Sequence, residues 1–183
     1  MPSAASPRAP SPDGPRSARH PAAVVTVLVC GSLDRGDDAA ALRAVELLRP
    51  KARRRAAIHV VGQLGVEALV DRPPTSPVLV VDAAVGLTAG EVKRLSFGDL
   101  RDGARSPLPR SSHELPIPEV VAIAEMIGGP LRGGLVVIGG RDFGYGGDCS
   151  PRVRDALPAF AREIERAVED LAAEAEAGAK ERA

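Results

Sequence analysis

VVTVLVCGSLDRGDDAAALRAVELL, residues 24–48, decides the fold. Val24–Val29 is a run of apolar, mostly β-branched residues, too short for a helix of its own and punctuated by Cys30-Gly31, so it reads as a buried strand. After Asp37-Asp38 the pattern changes to a helical one through about Arg49, with Leu42, Val45 and Leu48 on one face and Arg43, Glu46 and Arg49 elsewhere. One of the paired acids is expected to cap that helix, Asp37 by preference, which leaves Asp38 to face the crevice, and Pro50 is expected to end it. A buried strand feeding an amphipathic helix through an acidic loop is the opening of a doubly wound sheet, whose parallel strands all present their carboxyl ends to one ligand-binding edge.

The rest of the chain repeats that alternation. Ile58–Val61 is a short strand, Gly65–Val70 a turn of helix before Pro73-Pro74, and Val78–Val81 a third strand ending on Asp82. Glu91–Leu95 follows Gly90 as an edge strand, and residues 98–112 read as a polar loop. Pro118–Ile127 has helical spacing, Leu135–Ile138 is the last core strand, and a long helix runs from Ser150, an N-cap candidate, through Val153, Leu157, Phe160, Ile164, Val168 and Leu171. These elements predict an α/β protein of three layers, α/β/α, with a central, mostly parallel twisted sheet of about five strands. Residues 1–22, rich in proline and dotted with Arg8, Arg16 and Arg19, read as a disordered tail; residues 23–172 form the folded domain; residues 173–183 are expected to fray.

Composition narrows the function classes. At 183 residues the chain can bury a core without disulfides, and its 24 basic and 24 acidic residues cancel, which removes the electrostatic case for nucleic acid. Aromatic residues make up 2% of the chain, too few for a base-stacking platform. Two cysteines, Cys30 and Cys149, exclude a disulfide framework and a tetrathiolate zinc site. No stretch has the length of a membrane span and the start lacks the apolar centre of a secretory signal, so a cytoplasmic location is expected.

Three residues carry the chemistry. An acid of the Asp37-Asp38 pair, Asp82 and His113, the last in the loop SSHELP, are expected to meet at the carboxyl edge of the sheet, where two carboxylates and an imidazole would hold a divalent metal with coordination positions left open. Each has a plainer role when taken singly: acids at a helix start serve as caps, and a loop histidine is ordinarily solvated. Glu114 is either an orienting acceptor for His113 or exposed. His20 and His59 lack a comparable setting, Cys30 reads as a buried small hydrophobe, and Arg53-Arg54-Arg55 as solvated. The glycines at 139–140 and 144–147 fit neither phosphate-loop pattern.

GSLDRGDDAAALRAVELL, VLVVDAAVGLTAGEVKRL, SSHELPIPEVVAIAEMIG, LVVIGG and CSPRVRDALPAF, in that order over residues 24–170, resemble the hydrogenase maturation proteases. The resemblance implies a twisted sheet between helical layers and a metal-dependent endopeptidase that removes the C-terminal extension of a nickel-iron hydrogenase large-subunit precursor. It also implies nickel carried by that substrate as the recognition element, with Asp38, Asp82 and His113 as the metal-contacting and catalytic set. The family's Gly-Asn at the start of the first loop reads Gly31-Ser32 here, and its Gly after the paired acids reads Ala39. A docking protein for the same precursor without catalysis, and an unrelated small α/β hydrolase, stay open as alternatives.

Overall fold

The computed structural model describes residues 24–73, 75–101, 110–111 and 116–181. In chain order these form β1 (Val25–Cys30), a 3-10 turn (Gly36–Ala39), α1 (Ala40–Glu46), α2 (Pro50–Arg53), β2 (Ala56–Gly62), α3 (Val66–Val70), β3 (Val78–Val85) and β4 (Val92–Ser96). There follow α4 (Phe97–Arg101), β5 (Arg110–Ser111), α5 (Ile117–Gly128), β6 (Gly133–Gly139) and α6 (Pro151–Lys180). The strand order is β2-β1-β3-β6-β4, with β5 pairing β3. β1, β2, β3 and β6 are mutually parallel, while β4 runs antiparallel on the β6 edge. Among the described residues no helix is long and apolar enough to cross a membrane.

Alternation along the strands sorts the core into two layers. Val25, Val27, Val29, Leu79, Val81, Val136 and Ile138 pack with α1 and α6 on one face. Leu28, Cys30, Val78, Val80, Ala84 and Val137 pack with Phe97, Leu100, Ile117, Val120 and Val121 on the other. The chain leaves β1 to build β2 on one side and later β3 on the other, so the β1–β3 gap is the topological switch point, where doubly wound sheets hold their ligands.

Four local expectations change. The first helix stops at Glu46, and Pro50, expected to end it, instead occupies the first turn of α2, where its missing N–H costs nothing. β3 does not end on Asp82 but runs on to Val85, because β6 pairs it as far as Ala84 and β5 pairs Ala84 and Val85. The start of the presumed polar loop is α4: Phe97 and Leu100 are buried one turn apart. Ser96 and Asp99 form a reciprocal cap ahead of it, the Asp99 carboxylate accepting from Ser96 N at 2.7 Å while Asp99 N donates to Ser96 Oγ at 3.0 Å. The end expected to fray from residue 173 continues as helix to Lys180, with half-buried or exposed side chains past Ala172. The tail at 1–22 lies outside the described residues.

α6 is held to the first helical layer by more than apolar contact. Buried Glu165 accepts from Arg49 N at 2.6 Å and Arg49 Nε at 2.7 Å, so one carboxylate both pairs a guanidinium and satisfies the amide that opens α2. The Arg49 hydrogen bond is the main reason the Glu165 carboxyl sits below its usual range. The basic run is likewise not simply solvated: Arg53 donates to Val45 O at 2.8 Å, finishing α1, and Arg55 pairs with Glu176.

Candidate functional site

β1 ends at the switch point on Cys30 and Gly31. Gly31 has φ +112°, and a Cβ there would stand 2.0 Å from the carbonyl oxygen of Asp38 and 3.7 Å from its carboxyl carbon. Only glycine lets the 3-10 turn lie this close on the strand end. Asp38 is 2% exposed and Asp82, one strand over, is 1% exposed. Asp82 shares the parity of Val80 and Ala84, so it projects on the same face as Cys30. Burial raises the Cys30 thiol far above its ordinary range, and the charges of Asp82 and Asp38, in that order, push it further. The two carboxylates, 44 residues apart in sequence, therefore both lie near Cys30. This Cys30 is a protonated, fully buried thiol, in line with the reading of it as a small hydrophobe.

Burying a carboxylate is expensive unless its oxygens are satisfied. Ala83 N donates to Asp82 Oδ1 at 2.8 Å. The backbone of Asp38 is fixed separately, its N–H donating to Arg35 O at 2.8 Å and closing the turn. Ala39, which replaces the family's glycine, has φ −71° and ψ −11°, ordinary helical values that an alanine accepts without strain. Ser32 uses its hydroxyl locally, accepting from Asp34 N at 3.4 Å.

Asp37 does not cap the helix it precedes. The residue ahead of the 3-10 turn is Arg35, and it makes no side-chain cap. The fully buried Asp37 carboxylate reaches instead to the loop before α6, accepting from Arg141 N at 2.8 Å, Asp142 N at 2.9 Å, Ser150 N at 2.6 Å and Ser150 Oγ at 3.0 Å. Burial works against its charge, but the amide hydrogen bonds from Asp142, Arg141 and Ser150 prevail and hold its carboxyl below the usual range. Ser150 does precede α6 as expected, yet its hydroxyl serves Asp37 and makes no cap of its own.

His113 and Glu114 lie outside the described residues, as does His20. Ser111, two residues before His113, pairs with Ala84, itself two residues past Asp82. Among the described residues no group of three or more His, Cys, Asp or Glu is placed to hold a metal ion. His59 is exposed on the β2 edge, where it lines a cleft of about 310 Å³ with Leu28, Val61, Asp71 and Arg72, away from the carboxyl rim. Cys149 is buried on the opposite face of the sheet from Cys30, its thiol directed at Gly36 O at 3.5 Å. Gly139 and Gly140 serve close packing: a Cβ at Gly139 would come within 2.2 Å of Thr88 O, and one at Gly140 within 2.6 Å of the Phe143 ring. Sequence reasoning missed the partners of Asp37, which lie 104 to 113 residues away. The glycine run at 139–147 was the available sign that two backbones approach there.

A desolvated pair of carboxylates at a switch point can bind a divalent cation or take a proton from water. No protein-family model and no curated protein sequence matches the chain. Solved structures do. The chain is 18% identical to the [NiFe] hydrogenase maturation protease HybD from Thermococcus kodakarensis, with a TM-score of 0.60 over 78% of this chain and 97% of that one. For the hydrogenase maturating endopeptidase HybD from E. coli the values are 19%, 0.60, 80% and 93%. For the [NiFe] hydrogenase maturation protease HycI from Thermococcus kodakarensis they are 20%, 0.55, 80% and 93%. The chain therefore has the fold of the hydrogenase maturation proteases.

Proposed function

We propose that this chain is an endopeptidase that removes the C-terminal extension of a nickel-loaded nickel-iron hydrogenase large-subunit precursor, working in the cytoplasm. The observation that supports the reading is the burial of both Asp38 and Asp82 beside the β1–β3 switch point of this particular fold, each near enough to Cys30 to act on its thiol. His113 is the third member of the set; the β5 pairing that brings Ser111 beside Ala84 supports its recruitment to the same rim.

Carboxylate oxygens with an imidazole nitrogen suit Ni(II), so this donor set fits a nickel ion that arrives as part of the substrate. The ion would polarise the scissile carbonyl. The chain's own part is to grip the loaded end of the precursor through Asp38, Asp82 and His113 and to accept a proton from the attacking water at a carboxylate oxygen of Asp38 or Asp82. A precursor without nickel offers these side chains nothing to hold, which makes cleavage a check on metal insertion.

The test mixes purified protein with nickel-loaded and nickel-free precursor and follows the subunit by intact mass. Loss of the extension from the loaded sample alone is expected. Equal cleavage of both removes the nickel check and leaves a protease; cleavage of neither overturns the function. Asp38→Ala and His113→Ala should abolish processing, whereas a docking protein would bind and function unchanged with either substitution.

A further inference from the structure

We infer that Asp37 is the positioning residue of this site, holding Asp38 in place by tying the 3-10 turn to the loop between β6 and α6. The inference rests on the proposed role of Asp38. Asp37 and Asp38 share a peptide bond, so whatever fixes one fixes the backbone of the other. Five hydrogen bonds converge on Asp37: the four its carboxylate accepts, and one from its own amide to Asp142 O at 2.6 Å. Its turn has no side-chain cap of its own, so this long-range anchor supplies what local sequence does not. On the other side, Gly31 stops Asp38 by direct contact with its carbonyl. Asp38 is thus gripped between a strand end and a distant loop.

The surroundings are built for that anchor. Gly36, at φ +39°, leaves room for Asp142 O, which would lie 2.5 Å from a Cβ there, and Gly140 does the same for the Asp37 side chain, 3.1 Å from its would-be Cβ. The seam continues outward through Gly146 N to Asp34 O at 2.9 Å, Arg35 Nε to Phe143 O at 3.3 Å, and the Arg35 guanidinium over the exposed Tyr145 ring. Three of the four groups that Asp37 accepts from are backbone N–H donors with no freedom to turn round, so an acceptor-only carboxylate fits and an amide does not. The paired acids divide the work: Asp38 faces the reaction and Asp37 faces the scaffold.

The test compares Asp37→Asn and Ser150→Ala with the native protein, with Glu165→Gln as a variant that loosens α6 away from the site. Processing of nickel-loaded precursor gives kcat and KM, and hydrogen exchange followed by mass spectrometry reads residues 36–39 and 141–150. For Asp37→Asn, kcat should fall about 100-fold with KM within about threefold, the loss expected from a displacement of about 1 Å. Amide protection over 36–39 should vanish with it. Ser150→Ala, which removes the hydroxyl bond alone, should cost kcat only a few-fold, and Glu165→Gln should melt earlier with native kcat. Native kcat in folded Asp37→Asn, or unchanged exchange over 36–39, would overturn the inference. If the native protein cleaves no precursor, the proposed function fails and the exchange data alone decide the positioning. Should Asp37→Asn not fold, a kcat and exchange pattern in Ser150→Ala identical to native would sink it, and a partial loss in both would support it.

Discussion

Gly31→Ala and Gly62→Ala form a matched pair of perturbations. The two glycines lie at the carboxyl ends of neighbouring strands, joined by the bond from Gly31 N to Gly62 O at 2.7 Å, and both have positive φ, +112° and +66°. At Gly62 a Cβ would meet nothing within 4 Å, so alanine brings only backbone strain, about 1–2 kcal/mol. At Gly31 the strain is about 1–3 kcal/mol, because φ +112° lies beyond the small left-handed region. There the Cβ would also stand 2.0 Å from Asp38 O, about 1 Å inside the closest approach real Cβ atoms make, and relieving that overlap adds about 1–3 kcal/mol. Thermal melting should therefore drop by about 10 °C for Gly31→Ala and about 4 °C for Gly62→Ala, at about 2–4 °C per kcal/mol for a domain of this size. The overlap can be relieved only by moving the Asp38 peptide about 1 Å, which should lower processing about 100-fold, whereas Gly62→Ala should process at the native rate. Equal melting of the two variants together with native processing by Gly31→Ala would refute the claim that β1 and Asp38 are in contact.

Glu165→Gln should change how stability depends on pH. Because Arg49 holds the Glu165 carboxyl below its ordinary value of 4.5, its contribution is complete above that pH and is lost as pH falls through the lowered folded value. The gap in urea midpoint between native protein and Glu165→Gln should then be widest near neutrality and close toward pH 2, and a gap that widens in acid would contradict the assignment. Phe97→Ala, at a side chain only 1% exposed, should cost about 3–5 kcal/mol in urea unfolding; a loss under about 1 kcal/mol would mean that α4 is not part of the core. Asp82→Asn keeps the volume and removes the charge, so precursor processing should fall at least about 100-fold with circular dichroism unchanged; native processing would exclude Asp82 from the reaction.

The sequence by itself determined the layers. A strand buried on both faces must be apolar throughout, and a helix lying on it must show one apolar stripe; both patterns are local, which is why β1, β3, β6 and α5 are readable with ends in error by a few residues, and α6 from its start though not to its end at Lys180. The same locality led to the expectation that Asp38 and Asp82 lie at strand ends on a common rim, although β3 runs on past Asp82 to Val85. α4 was missed in a stretch read as polar loop: its signs are the Ser96–Asp99 cap and the Phe97–Leu100 spacing, but it is a single turn whose burial depends on neighbours far along the chain. Folding in three dimensions alone settles which partners Asp37 and Asp38 meet. Two identical acids in one turn differ solely in what faces them: backbone amides from residues 141, 142 and 150 for one, the end of β1 and a shared buried thiol with Asp82 for the other. Those partners are brought up by strand order and by glycines that let backbones touch, and neither leaves a periodic trace in the chain.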